Sequence, residues 1–230
     1  MSAQIGVIFD MDGVLFDTEY IAYVCWGEAA QRLGLPGWEA VYPQCIGITQ
    51  PKTRALWRET WGDEAAEAFE REIFAVSKER FEGKPVPPKP GLLPALDVLG
   101  AAGVPMAVAS STPEKRVREN LAQAGILERF SAVIGGDRLQ RSKPAPDIFL
   151  LAGAALGIEP GHCFVVEDSY NGIRAAHAAG MRALMVPDLQ PPTDEMRALA
   201  EAVLKDLAEA SEYILQKRTD CHTSVRTGSQ

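Results

Sequence analysis

Ile5-Gly6-Val7-Ile8-Phe9-Asp10-Met11-Asp12-Gly13-Val14-Leu15-Phe16-Asp17-Thr18 is the stretch on which the fold turns. Its first five residues are apolar and rich in β-branched side chains. They are too few for a helix and too continuous for a strand with one wet face, so they read as a strand buried on both sides. Two carboxylates follow, two residues apart and therefore on one face of an extended chain, and Gly13 lets the backbone turn away sharply. Comparable apolar runs recur at 105–109, 132–134, 163–166 and 183–186, separated by helical periodicity at 91–102, 113–124, 146–156 and 170–179. Strand and helix in alternation predict an α/β fold, a doubly wound, Rossmann-like parallel sheet covered on both faces.

The alternation stops between Thr18 and Pro85, where only helical periodicity is found, at 19–33, 53–61 and 63–81, the last with an acidic first turn. Lys84-Pro85-Val86-Pro87-Pro88-Lys89-Pro90-Gly91 follows, and its four prolines exclude helix and predict a stiff extended linker. An all-helical cap domain, 17–86, is thus inserted into a core made of 1–16 and 87–216. Residues 217–230 are polar, rich in Thr and Ser and without apolar period, and read as a frayed tail.

At 230 residues the chain is long enough for such a two-part arrangement. A composition of 47% hydrophobic and 23% charged residues argues against a collagenous, disordered or disulfide-scaffold protein. No apolar run approaches the roughly 20 residues of a membrane helix, and the start of the chain lacks the pattern of a signal peptide, so a cytoplasmic protein with no membrane partner is expected. A net charge of −8 without a basic stripe argues against nucleic acid. Cys25, Cys45, Cys163 and Cys221 form no CxxC pair, and His162, His177 and His222 make no cluster with them, which excludes a zinc motif.

The chemistry lies at strand ends. Asp10 and Asp12 fall where open α/β sheets bind ligands, and two carboxylates so placed suit a division between attack and proton transfer. Val165-Val166-Glu167-Asp168-Ser169 repeats the device. Unit charges about 4 Å apart repel by roughly 4 kcal/mol at an effective dielectric near 20, so four acids sharing one crevice require a cation. Oxygen-only ligands point to a hard divalent ion such as Mg²⁺. In Arg141-Ser142-Lys143-Pro144-Ala145-Pro146-Asp147 the prolines hold Lys143 in a rigid turn, a fixed cation. Ser110-Ser111-Thr112-Pro113-Glu114 offers hydroxyls and amides before a helix, either for a phosphoryl group or, through Ser111 and Thr112, as a helix cap.

These motifs together resemble the haloacid dehalogenase superfamily of phosphotransferases, in its helical-cap, β-phosphoglucomutase-like branch, over about residues 5–186. The resemblance rests on Asp10-x-Asp12-Gly13-Val14-Leu15-x-Asp17-Thr18, Ser110, Ser142-Lys143-Pro144-x-Pro146-Asp147 and Glu167-Asp168-Ser169-x-x-Gly172-Ile173. It implies that Asp10 is the nucleophile and a metal ligand, and that Asp12 is the acid/base, its carbonyl binding Mg²⁺ as well. Asp168 is then a metal ligand, Glu167 a ligand or its support, Ser110 and Ser111 phosphate binders, and Lys143 both catalytic and phosphate-neutralising. The implied activity is Mg²⁺-dependent hydrolysis of a small phosphorylated metabolite, a sugar phosphate in the first instance, through an aspartyl-phosphate, by a monomer.

The sequence departs from the mutase pattern in two places. Alanine stands at Ala22, where mutases have a histidine. Ile46-Gly47-Ile48-Thr49-Gln50 stands where they have a cationic Lys-Gly-x-Ser-Arg run, although Lys52 or Arg54 could substitute. Ile46, Thr49, Gln50, Lys52 and Arg54 are therefore the expected cap contacts to substrate, with Cys45 and Trp57 near the entrance. Hydrolysis is expected over mutase chemistry. A metal-free dehalogenase is disfavoured by Asp12, and a non-catalytic binding module by Asp10.

Overall fold

β1 (Gly6–Phe9) has no wet face, and its alternating side chains feed two separate hydrophobic cores. In the computed structural model, which describes residues 4–82 and 84–223, Val7 and Phe9 enter one core and Ile8 the other. The period of two does the same for β2 (Met106–Ser110), β3 (Ala132–Gly135), β4 (Cys163–Glu167) and β5 (Arg182–Met185). Val108, Val133, Phe164 and Leu184 face one side while Ala107, Ile134, Val165 and Met185 face the other. With the short β6 (Ala202–Val203) these strands form one parallel sheet in the order β3-β2-β1-β4-β5-β6.

Between β1 and β2 the chain runs through α1 (Thr18–Leu33), α2 (Trp38–Cys45), α3 (Gln50–Trp61), α4 (Asp63–Phe81) and α5 (Leu92–Ala101). α6 (Glu114–Gln123), α7 (Asp147–Leu156), α8 (Tyr170–Ala178), α9 (Asp194–Leu199) and α10 (Leu207–Thr223) follow. Apolar faces of α5, α6 and α10 close one core, and those of α7, α8 and α9 the other. Chain order reverses on either side of β1, which makes the β1–β4 border the switch point where such sheets bind ligands. Phe9 pairs with Val166, so Asp10 emerges level with Glu167.

α1–α4 have a core of their own, built on Trp26, Tyr42, Trp57 and Phe69. The four tryptophans of the chain, Trp26, Trp38, Trp57 and Trp61, all lie in this helical unit. Trp26, Trp57 and Trp61 surround Phe69 edge-on at ring-centre distances of 5.4, 5.3 and 4.9 Å, a geometry that favours aromatic pairs. Two extended segments join the unit to the sheet domain and brace each other: Phe16 bridges to Pro88, Asp17 N–H donates to the Pro87 carbonyl, and Lys89 N–H to that of Leu15. Lys89 Nζ adds ion pairs to Asp188 (2.7 Å) and Asp17 (3.4 Å).

Several boundaries differ from expectation. α2 was hidden by Pro43 inside it and by the Pro36-Gly37 turn signal before it. α3 starts at Gln50, with Pro51 in its first turn, where a missing N–H costs nothing. The expected tail is the largest difference: α10 continues through Thr223, with Leu207, Ala210 and Ile214 buried in the core beside α5, so its polar last turns are carried by an anchored beginning. Residues 224–230 lie outside the described residues.

Phe69→Ala is expected to cost about 3–5 kcal/mol, because it removes the ring around which three indoles pack. Urea denaturation followed by tryptophan fluorescence, which reports on the helical unit, checks this.

Candidate active site

β1 and β4 deliver their acids side by side, and the first partner they meet is Lys143. The ammonium is 1% exposed and sits 2.5 Å from Asp10 Oδ1 and 2.5 Å from Glu167 Oε1, with the Phe149 ring 5.0 Å away. Burial works against its charge, but the two carboxylates outweigh burial and hold the ammonium above the usual lysine range. Burial, against the pull of Lys143 and helped by the charges of Glu167 and Asp12, pushes the Asp10 carboxyl well above the ordinary carboxylate range. Glu167 is fully occupied: Oε1 takes Lys143, and Oε2 accepts from Ser169 N (2.8 Å) and Ser169 Oγ (3.0 Å). It tucks against Gly172, where a Cβ would fall 1.8 Å from Oε1.

Asp12 is held by hydroxyls. Thr18 donates to Oδ1 (2.8 Å), while Ser110 (3.0 Å) and Thr112 (2.9 Å) donate to Oδ2. Ser110 is fully buried and also accepts from Thr112 N–H (3.1 Å), so its hydroxyl serves Asp12. Thr112 is not the cap of α6; Asp137, from the turn after β3, takes the Glu114 N–H instead (2.8 Å). Ser111 lies at the cavity wall and donates to the Gly47 carbonyl (3.2 Å) across the gap between the two units.

Asp168 is 3% exposed and, among the described residues, has no cation paired to it. Burial, with the charges of Glu167 and Glu19, raises its carboxyl well above the ordinary range. Gly13, at φ +78°, makes the approach possible, since a Cβ there would stand 2.4 Å from Asp168 Oδ2. Four carboxylates thus share the site with one ammonium. Among the described residues no three His, Cys, Asp or Glu side chains form a ready cage for a metal. Mg²⁺, however, is held by one or two carboxylates with waters and phosphate oxygens, and an unneutralised buried carboxylate among oxygen donors fits such a hard ion.

Over these groups lies a cavity of about 380 Å³, lined from the sheet side by Asp10, Asp12, Ser111, Thr112 and Asp168 and from the helical side by Thr18, Glu19, Gln50, Thr53 and Trp57 among others. The helical unit is shut over it: Gly47, at φ +73°, lies so close that a Cβ would meet Ser169 Oγ at 2.5 Å, and Gln190 donates to the Pro43 carbonyl (3.1 Å).

A model of the haloacid dehalogenase-like hydrolases matches residues 6–180. The chain belongs to that family. It is 30% identical to hexitol phosphatase B of Escherichia coli over 89% of this chain and 93% of that protein. It is also 30% identical to a phosphorylated carbohydrates phosphatase of Thermotoga maritima over 78% and 83% respectively. Among solved structures, CbbY of Rhodobacter sphaeroides in complex with xylulose-(1,5)bisphosphate superposes with a TM-score of 0.73 at 25% identity, over 90% of this chain and 96% of that one. This haloacid dehalogenase-like hydrolase is an enzyme of phosphatase type. Among its described residues no helix is long and apolar enough to cross a membrane.

Of the cap residues expected to meet substrate, only Gln50 lines this cavity. Ile46 is buried in the helical unit's own core. Thr49 and Lys52 line a neighbouring cleft. Arg54 is turned away to Glu70 on α4. The reason is the register of α3: once the helix starts at Gln50, its inward stripe is Gln50, Thr53 and Trp57, at i, i+3 and i+7. Glu19 and the Asp12-binding role of Thr112 were not anticipated, although Glu19 directly follows the Asp-Thr of the first motif.

Lys143→Met is expected to destabilise the metal-free protein by about 3–5 kcal/mol near neutral pH, because it leaves two buried carboxylates facing each other. The deficit shrinks as pH falls and those groups take up protons, and thermal melts at pH 5 and pH 8 check it. Burial, the charge of Asp12 and those of Asp188 and Glu167 push the Glu19 carboxyl up to about 7, against the Tyr42 hydrogen bond. A raised carboxyl favours the folded state fully below its unfolded value near 4.5, and that contribution is lost as pH rises through 7. Glu19→Gln in metal-free protein is therefore expected to melt a few degrees higher than wild type at pH 8 and to lose that margin at pH 5.

Proposed function

We propose that this phosphatase hydrolyses a small phosphorylated metabolite of the sugar or polyol type through an aspartyl-phosphate on Asp10. The observation that carries the reading is the pairing of Asp10, locked by Lys143 through one oxygen, with Asp12, held by three hydroxyls at the floor of a closed cavity. Lys143 occupies Oδ1 of Asp10, which leaves Oδ2 to attack phosphorus. As the bond from phosphorus to the ester oxygen breaks, Asp12 gives its proton to the departing alkoxide. Asp12 then takes a proton from water, whose oxygen attacks the aspartyl-phosphate, freeing inorganic phosphate and restoring the Asp10 carboxylate. Hydroxyls that fix the Asp12 carboxylate in place through both steps make the proton transfers short and repeatable.

Asp10, Asp12 and Asp168 would hold Mg²⁺, with Glu167 positioning Lys143 behind them. The ion supplies charge neutralisation for the transferring group's oxygens. Ser111 and the start of α6 stand where those oxygens would be received. The shut helical unit excludes bulk water from the attack. The substrate class is drawn from relatives named for phosphorylated carbohydrates and hexitols, and from a cavity large enough for a small metabolite only. Mutase chemistry is disfavoured, because among the described residues no lysine or arginine lines this cavity to grip a second phosphate.

Asp10→Asn is expected to abolish phosphate release from p-nitrophenyl phosphate, and full activity in that variant would refute the covalent route. EDTA is expected to silence the wild-type enzyme and Mg²⁺ to restore it.

A further inference from the structure

The cavity's helical wall carries groups that the chemistry at its floor does not use. Trp57, in the inward stripe of α3, is 5% exposed, yet its Nε1–H has no hydrogen-bond acceptor. Native structures leave few buried donors unpaired, and a donor in the wall of a binding cavity is one kind that a ligand completes. Opposite in chemical sense is Glu19 of α1. The Tyr42 hydroxyl donates to its Oε2 (2.7 Å) and to its backbone carbonyl (2.6 Å), which fixes the carboxyl. Oε1 accepts from no side chain among the described residues.

The charge of this wall is as telling as its hydrogen bonding. Its only ionisable group apart from Cys45 is the Glu19 carboxyl, and the cations closest in the chain lie elsewhere: Lys78, Lys84 and Arg116 border a separate cleft on the far side of Asp12. A donor, an acceptor and no cation complement a hydroxylated carbon chain. A second phosphate placed here would face a carboxylate with no counter-charge.

Building on the phosphatase reading above, we propose that Trp57 and Glu19 select the leaving group. The indole N–H donates to, and the carboxyl group accepts from, the hydroxyls of an uncharged polyol, so that the enzyme takes polyol or sugar monophosphates and rejects bisphosphates.

Steady-state phosphate release from sorbitol 6-phosphate, fructose 1,6-bisphosphate and p-nitrophenyl phosphate tests this. Wild-type enzyme is expected to favour the monophosphate over the bisphosphate at least tenfold in kcat/KM. Trp57→Phe keeps the ring, and it is expected to lower the ratio of kcat/KM on sorbitol 6-phosphate to that on p-nitrophenyl phosphate, which has no hydroxyl, about 5–10-fold, mainly through KM. Glu19→Ala should lower the same ratio, and Glu19→Gln, which keeps a hydrogen-bonding oxygen, should recover most of it. Equal use of mono- and bisphosphate by wild type, or an unchanged ratio in both Trp57→Phe and Glu19→Ala, overturns the proposal while leaving the phosphatase reading intact. Wild-type inactivity on all three substrates sinks that reading as well. Should the indole variant fail to fold, the wild-type preference and the Glu19 pair decide the matter alone.

Discussion

Negative charge gathered in a place with little water is the constraint from which the rest of this molecule follows. Parallel pairing of β1 with β4 forces Asp10, Asp12, Glu167 and Asp168 together, and at separations near 4 Å each like-charged pair repels by about 4 kcal/mol at an effective dielectric of 20. The fold answers each acid differently. Asp10 and Glu167 share the ammonium of Lys143, Asp12 is surrounded by three hydroxyl donors, and Asp168 is pressed against Gly13 with no partner cation among the described residues. The sequence of answers, from paired to hydrogen-bonded to unneutralised, is what makes a divalent ion fit beside Asp168 and gives Asp10 and Asp12 separate tasks. It also explains why both strands are buried on each face, since a floor under that repulsion has to resist movement.

Residues whose neighbours in sequence dictate their geometry were legible. Asp10 and Asp12 follow a strand, so the period of two placed them, and the prolines around Lys143 announced a fixed turn. What escaped depended on contacts between distant segments. Ser110 reads as a loop hydroxyl free to meet phosphate, yet it is buried under Asp12 because β2 and β1 are neighbours. Thr112 reads as a helix cap, but Asp137 arrives from the β3 turn to take that place and releases the threonine to Asp12. The C-terminal segment shows the same limit, since its helix is supported by Leu207 and Ile214 meeting α5, a fact absent from the composition of its last turns.

The helical unit illustrates how one helix boundary governs a chemical prediction. Starting α3 at Thr53 leaves Thr49, Lys52 and Arg54 as plausible substrate contacts; starting it at Gln50 turns Lys52 and Arg54 off the inward stripe and brings Gln50, Thr53 and Trp57 onto it. A helix advances about 100° per residue, so which face a side chain joins follows from the path of the helix, and that path is set by the packing of Trp57 against Trp26 and Phe69. The same cluster therefore contributes stability and fixes the wall of the cavity, a coupling that ties the specificity of the site to the integrity of a core made largely of aromatic rings.

The fate of an aspartyl-phosphate depends on which nucleophile is held over it when the first product leaves. Returning the phosphoryl group to a sugar requires that the sugar stay, reorient and offer a second hydroxyl, and a distal phosphate gripped by cations is the strongest tether available for that purpose. Here the wall offers an indole donor and a carboxyl group, each worth the modest net energy of an ordinary or singly charge-assisted hydrogen bond, about 1–3 kcal/mol. Contacts of that size orient an alcohol during the first step without retaining it afterwards. On the reading proposed above, the departing polyol is replaced by water beside Asp12, and hydrolysis is the outcome that the electrostatics of the helical wall favours.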